Sequence, residues 1–596
     1  MKIKHNSINY SVNTVDDLTV LIGEDGDTVV VSDMNRGGTF VYDSTRTADN
    51  NGGTVFNGWV RQYDGSVNIK WFGTKGDLED DTVAIQTAVN SLPSSGGSIY
   101  FPSGKYKVTS SINAAPYNNI VFYGDGVGSS QIRSTISGAA TLLVGDHIGN
   151  STRTFTLHDL DIQYDGATPP SEGTIAIQAK NLVSPSFIQN FSIQKFYDAL
   201  HLDASSLQGN IIVSDFIIGN SERYGIYLTG GVQGVWISKG KISARIENSS
   251  PVASSIGINC KYTNGVYIDT VDCIFNNRGL MVSPNNNETV HWLFAENLIC
   301  DSNTAAGVDI VPLGNGSAAG LVFNGSWSSS NEIGFKLRGN TDATIDGVLI
   351  NGATILNNKL EGIILSGGPT TFKNIQILDS QILSNNSTTV NKAGITVAPG
   401  VSNFSIKGNT VGGISTHPNN QTFGIDVLSG VSNNYVITNN ECQGNVIGSI
   451  NDKGTGTNKI VKDNLAYISQ GEIKVLSGNL TPGVQNAQMF NVQNPYSSKA
   501  IVTRMIIKIT KAGGTDGSKG DFGVTSASGT LSTNIINGVD LNAIDIYDNI
   551  DDQGTGGNST KLLDENGGAN DWITGTIKSD NATSLAGTYY IELMGV

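Results

Sequence analysis

The chain has 596 residues, 36 basic and 52 acidic, for a net charge of −16, and only 15% of its residues are charged, where about 25% is usual. That balance excludes a general nucleic-acid binder, which needs clustered Lys and Arg against phosphate. With 72 glycines against 14 prolines, and many Asn, Ser and Thr, the composition favours a turn-rich all-β chain.

In chain order, residues 1–70 read as a small β module of short strands between Gly and Asp turns, such as Asp27-Thr28-Val29-Val30-Val31 and Gly38-Thr39-Phe40-Val41-Tyr42. After Asp80-Asp81-Thr82, the apolar residues Ile85, Ala88, Val89 and Leu92 recur at helical spacing, which predicts one amphipathic helix over 82–92 with acidic caps ahead of it. Gly96-Gly97 ends it, and Ser98 to Val108 reads as a hairpin.

Repeats decide the middle of the chain. A tetrapeptide of Gly, apolar, any, apolar begins at Gly225, Gly257, Gly279, Gly307, Gly334, Gly362, Gly394 and Gly424, at intervals of 32, 22, 28, 27, 28, 32 and 30 residues. A second short strand and an Asn-rich corner (Asn276-Asn277, Asn357-Asn358, Asn385-Asn386, Asn439-Asn440) follow within the units. This pattern predicts a right-handed parallel β-helix over 71–465, one coil per repeat, with glycine permitting the corner and asparagine laddering from coil to coil. The helix at 82–92 is placed to plug the open amino-terminal edge. Beyond 465 the tetrapeptide stops, and strands of another rhythm predict a β-sandwich over 466–596.

The four cysteines (Cys260, Cys273, Cys300, Cys442) contain no CxxC pair and read as buried free thiols. No apolar run reaches the roughly 18 residues of a membrane span. The opening MKIKHNSINYSVNTVDDL lacks the apolar stretch of a secretory signal, so neither membrane insertion nor export by that route is expected.

Asn68-Ile69-Lys70-Trp71-Phe72-Gly73, Asp80 to Gln86 and Gly97 to Tyr106 together resemble the opening of the pectate-lyase-like β-helix superfamily as found in tailed-phage tailspikes. Gly38 to Asp43, Asp49 to Val55 and Trp59-Val60-Arg61 resemble the short module that often precedes it, and Leu78-Glu79 departs from the usual Gly and small polar residue in a loop. The resemblance implies a homotrimeric virion protein, attached to phage tail or baseplate proteins and acting outside the host cell, that binds and depolymerises a bacterial surface polysaccharide, capsule or O-antigen. In that setting the sandwich would trimerise the chain or bind carbohydrate. No cofactor is implied, no Asp cluster reads as a metal site, and no catalytic motif carries over residue by residue.

Strand period two puts His201, Tyr227, Asn259, Met281, Asp309, Lys336, Ile364, Thr396 and Asp426 outward on successive coils. On the second strand the outward column reads Trp236, Tyr267, His291, then Val322, Leu349, Gln376, Ser405 and Val436, three rings forming a face for sugars. A covering chain or loop would equally bury such rings. Hydrolysis of a glycosidic bond needs two carboxyl groups at about 5–9.5 Å. The candidates are Glu332 and Glu361 at equivalent corners, Asp309 diagonal to Glu332, and Asp301. Glu222-Arg223-Tyr224 with Arg245 and Glu247 competes with them. Arg278, Lys336 and Arg338 are suited to an acidic sugar. Alternatively, His291 or Lys336 removes a proton beside a uronate carboxylate while Arg338 or Lys336 stabilises the enolate, which is β-elimination. A third possibility is an adhesin that binds without cleaving.

Overall fold

The computed structural model describes residues 9–146, 153–204, 210–339, 342–367, 371–388, 391–514 and 517–596. Residues 1–8, within the opening read for a signal, lie outside them. The chain divides into two compact units, Met1–Gln376 and Ile377–Val596.

In the first unit, strands Asn9–Val12, Thr28–Val31, Gly38–Tyr42, Trp59–Arg61 and Val55–Phe56 form one sheet in that order over a core of Val29, Phe40, Phe56 and Trp59. The helix spans Thr82–Asn90, and Ser91 caps it, two residues short of the prediction. Ile85, Ala88 and Val89 are buried along one stripe. Asp80, not Asp81, accepts the Thr82 amide at 3.0 Å, while the buried Asp81 carboxylate binds the amides of Lys75 and Gly76. On the same helix, Gln86 accepts the Asn113 amide at 2.7 Å and donates to the Asn113 carbonyl at 3.1 Å. Asn113 belongs to the first strand of a long parallel sheet, so the Gln86 amide takes the hydrogen bonds a preceding coil would make.

Ser98 to Val108 is not a hairpin. Gly97–Phe101 pairs in parallel with Asn119–Gly124, and Gly104–Val108 pairs in parallel with Ser130–Ser134. The Pro102-Ser103 step is therefore a solenoid corner, and both strands are satisfied by the next coil.

The repeats form a parallel β-solenoid of about 14 turns. In the first unit, the tetrapeptide strands Tyr224–Thr229, Ile256–Cys260, Arg278–Val282, Ala306–Ile310, Ile333–Gly339 and Ile363–Gly367 stack in sequence. Their apolar members, such as Ile226 and Leu228, are fully buried. The tetrapeptide glycines do not make the corners: none has positive φ. A Cβ on Gly257, Gly279, Gly307 or Gly334 would lie 2.4–2.8 Å from the carbonyl oxygen of the glycine one coil on, so glycine is required there for space. Left-handed backbone falls at two other corners. Gly234, Gly265, Trp292, Gly320 and Gly347 precede the second strand, and Lys239, Thr270, Asn297, Gly325 and Gly352 follow its outward residue by three positions.

Asparagines ladder as predicted. The Asn276 amide donates to the Asn303 side chain, the Asn303 amide to Asn331, and the Asn331 amide to Asn358, each at 2.9 Å. The second unit repeats the device through Asn409, Asn440 and Asn464. All four cysteines are buried and free, and burial pushes the Cys260 thiol up to about 12.

The second unit also holds two antiparallel sheets. One contains Ile473–Asn479, Ala586–Gly595, Ala500–Lys511, Ile546–Asp548 and Lys561–Leu563; the other contains Gln488–Gln493, Trp572–Ser579, Lys519–Thr525 and Ile536–Asp540. Met505, Ile507 and Leu593 from the first meet Phe522 and Ile573 from the second in one core, a sandwich.

Candidate functional site

The first outward column stands as predicted through the first unit: His201, Tyr227, Asn259, Met281, Asp309, Lys336 and Ile364 are successive register partners. Tyr227 stacks on Tyr224 with centroids 4.4 Å apart, and His201 lies 4.8 Å from Tyr227. Asp309 is only 1% exposed and is held by two guanidinium groups, Arg278 at 2.7 Å and Arg338 at 2.8 and 3.1 Å. Burial alone would raise its pKa, but hydrogen bonding and charge from Arg338 and Arg278 outweigh burial and hold it below the usual carboxylate value. A carboxylate kept ionised cannot serve as the proton donor of a glycosidase. The same contact occupies Arg278 and Arg338, which were expected to face substrate.

The remaining acids are not brought together as expected. Counting back from the pair Phe335–Ile363, Glu361 falls opposite Ile333, one position out of step with Glu332. Because side chains alternate along a strand, Glu361 is buried at 2% exposure whereas Glu332 stays half-buried. Asp301 lies on another side of the coil, in the strand Ile299–Asp301, where Ser329 and Ser302 donate to its two oxygens at 2.7 and 2.6 Å. The competing group is paired internally. Arg245 binds Glu222 at 2.7 Å and Glu247 at 3.3 Å, and Arg223 grips Asp198 at 2.9 and 2.6 Å while lying over Tyr197 and Tyr224.

The second outward column requires a correction. Trp236 pairs with Tyr267 as expected, but Tyr267 pairs with Phe294, and His291 pairs with Asn264. The strand Thr289–Glu296 kinks at Trp292, whose φ of 60° occupies the left-handed corner, so in the triplet Leu293-Phe294-Ala295 that follows Phe294 is the outward residue between two buried ones. The three rings stack face to face, 4.0 Å and 11° for Trp236–Tyr267, 5.3 Å and 12° for Tyr267–Phe294. They therefore spend their faces on one another and turn edges, not a flat platform, to solvent.

Those edges wall a groove of about 290 Å³ that also has Ser238, Asp269 and Glu296 in its lining. Asp269 and Glu296 are direct register partners on adjacent coils, two positions beyond Tyr267 and Phe294, and both are exposed. Ser238 and Asn324 extend the column on either side, and Thr270 donates to Asp269 at 2.9 Å. Adjacent parallel strands lie about 4.8 Å apart, so two carboxylates in register reach the separations a glycosidase uses. The pair was missed because placing His291 in the column hid Glu296. The constant spacing from an outward residue to the next corner, Tyr267 to Thr270 and Phe294 to Asn297, marks the true register. A cavity of about 480 Å³ at Cys442–Ser449 in the second unit has Glu565 as its one carboxylate and so lacks an acid–base pair. Among the described residues, no group of three or more His, Cys, Asp or Glu is placed to hold a metal ion.

Residues 66–239 match the family described as rhamnogalacturonase A/epimerase, pectate lyase-like. This stretch is similar to a pectate-lyase-like family, and the parallel β-solenoid runs on beyond it. Over 118 residues, 18% of this chain, it is 34% identical to alginate lyase 7 of Azotobacter vinelandii, of whose own length that stretch is 13%. Among solved structures, the A-module of the Azotobacter vinelandii mannuronan C-5 epimerase AlgE6 is 17% identical, with a TM-score of 0.40 over 67% of this chain and 98% of that one. The tailspike of Acinetobacter baumannii bacteriophage Fri1, a capsular polysaccharide depolymerase, is 10% identical, with a TM-score of 0.41 over 98% of both chains. The Dettilon tailspike is 12% identical, with a TM-score of 0.45 over 89% of this chain and 94% of that one.

Proposed function

We propose that this protein is a tailspike-type depolymerase that binds a bacterial surface polysaccharide and hydrolyses it in the groove beside Trp236, Tyr267 and Phe294. The observation that carries the reading is the registered pair Asp269 and Glu296 at the rim of that groove. One carboxyl protonates the leaving oxygen while the other activates water or attacks the anomeric carbon. The pectate-lyase-like match and the tailspike-like opening residues support a polysaccharide as substrate. Glu332, half-buried just before a tetrapeptide strand and away from that groove, serves as the comparison variant.

Purified protein is incubated with a panel of capsular polysaccharides and the products are weighed by mass spectrometry. Whole repeat units carrying one added water are expected. Asp269→Asn and Glu296→Gln each lower the cleavage rate by about 10²–10⁴ with binding kept, and Glu332→Gln leaves it unchanged. Full cleavage by both groove variants would sink this assignment.

A second reading is β-elimination from a uronate, favoured by the 34% identity to an alginate lyase. It predicts unsaturated products without added water and moves attention to Lys336 and His291. Burial lowers the pKa of His291 and so leaves it neutral, as a base must be. Binding without products would indicate an adhesin.

A further inference from the structure

Trp292 is anomalous in three ways at once. It has φ of 60° where the equivalent corners of the coils on both sides are Gly234, Gly265, Gly320 and Gly347, and a bulky residue is strained in that conformation. Its side chain is large and apolar, yet the residue is 60% exposed. Its ring lies against Gly320, where an added Cβ would come within 2.7 Å of Cε3.

The ring therefore packs against Gly320 of the next coil, and the coils on the other side supply only Gly265 and Gly234 at that position. Trp292, Gly265 and Gly234 share a groove of about 420 Å³ with Gln233, Asn264 and His291. These last three are consecutive register partners, a column of two amides and an imidazole beside the glycine track. No lining residue carries a fixed charge. An exposed indole beside neutral donors and acceptors suits a pyranose, which has an apolar face bounded by hydroxyls.

We propose that this corner is a carbohydrate subsite, separate from the groove at Asp269 and Glu296, that takes an uncharged pyranose unit of the polysaccharide on Trp292 with its hydroxyls bonded to Gln233 and Asn264. The inference rests on the polysaccharide reading given above, and the strain at Trp292 is kept because glycine, which fits the backbone, offers no ring.

Full-length Trp292→Gly, Asn264→Ala and Gln233→Ala are compared with wild type by calorimetric titration against the same capsular panel and alginate, at low and high salt. Trp292→Gly is expected to weaken binding about tenfold or more, equally at both salts, while its melting temperature stays the same or rises. If Trp292→Gly does not fold, the two amide variants carry the test, each expected to weaken binding about threefold or more. Unchanged affinity in the variants, with cleavage intact, would overturn the subsite alone. A lower oligomeric mass for Trp292→Gly would instead make Trp292 a subunit contact, overturning it too. No binding of any polysaccharide by wild type would count against the parent reading and take the subsite with it.

Discussion

Asp309 sits where substrate was expected, yet its surroundings make it a structural anion: a buried carboxylate between two arginines that keep 25% and 34% of their side-chain surface. Removing one partner of such a set leaves buried charge uncompensated, so Asp309→Asn should destabilise the protein by about 3 kcal/mol at neutral pH in urea unfolding. Because its folded pKa is depressed, Asp309 contributes fully above its ordinary value of 3.8 and loses the contribution as pH falls through the folded value. The difference between wild type and Asp309→Asn should therefore shrink below about pH 4. A constant difference down to pH 2 would count against the ion-pair account. The outward position of Asp309 was legible from strand period, but its neutralisation was not. Arg278 and Arg338 lie 31 and 29 residues away in sequence, and only the coil register brings them together.

At the scale of an element, two kinds of corner residue divide the work of turning the chain. Left-handed glycines and asparagines bend it, and the tetrapeptide glycines let neighbouring carbonyls approach. The repeat period showed that glycine mattered, but a sequence cannot distinguish a glycine required for φ from one required for space, and the bending role had been given to the wrong set. The asparagine ladder was more legible, because a side-chain amide that bonds backbone on the next coil needs no other partner. Asn331 accepts from the Asn303 amide and donates to the Cys300 carbonyl at 3.0 Å while fully buried. Asn331→Ala strands those groups and should cost roughly 2–3 kcal/mol in urea unfolding, against little effect for Asn35→Ala on an exposed turn.

At the scale of the molecule, the parallel solenoid, the amino-terminal sheet and the carboxy-terminal sandwich could all be read from rhythm alone. The face proposed for catalysis could not, since a single slip of three residues at Trp292 exchanged His291 for Phe294 and concealed Glu296. The homotrimer is a proposal that light scattering checks: a mass near three times 62.8 kDa is expected, and a mass near 62.8 kDa would refute it. The thiols give a simpler test. With all four cysteines buried and reduced, a thiol reagent should label none in the native protein and all four in denaturant.

The in-register corners have a consequence for how such a molecule can change. Every outward side chain has a fixed address, a coil and a place on that coil, and the backbone of each coil accepts the next without reference to what the address displays. Duplicating or deleting one whole repeat would thus move everything beyond it by one rung while leaving each local arrangement as it was. Losing three residues at one corner would instead scramble the correspondence between rungs. Variation in this architecture is expected to come in whole coils and in single outward positions, with the corners held constant between them.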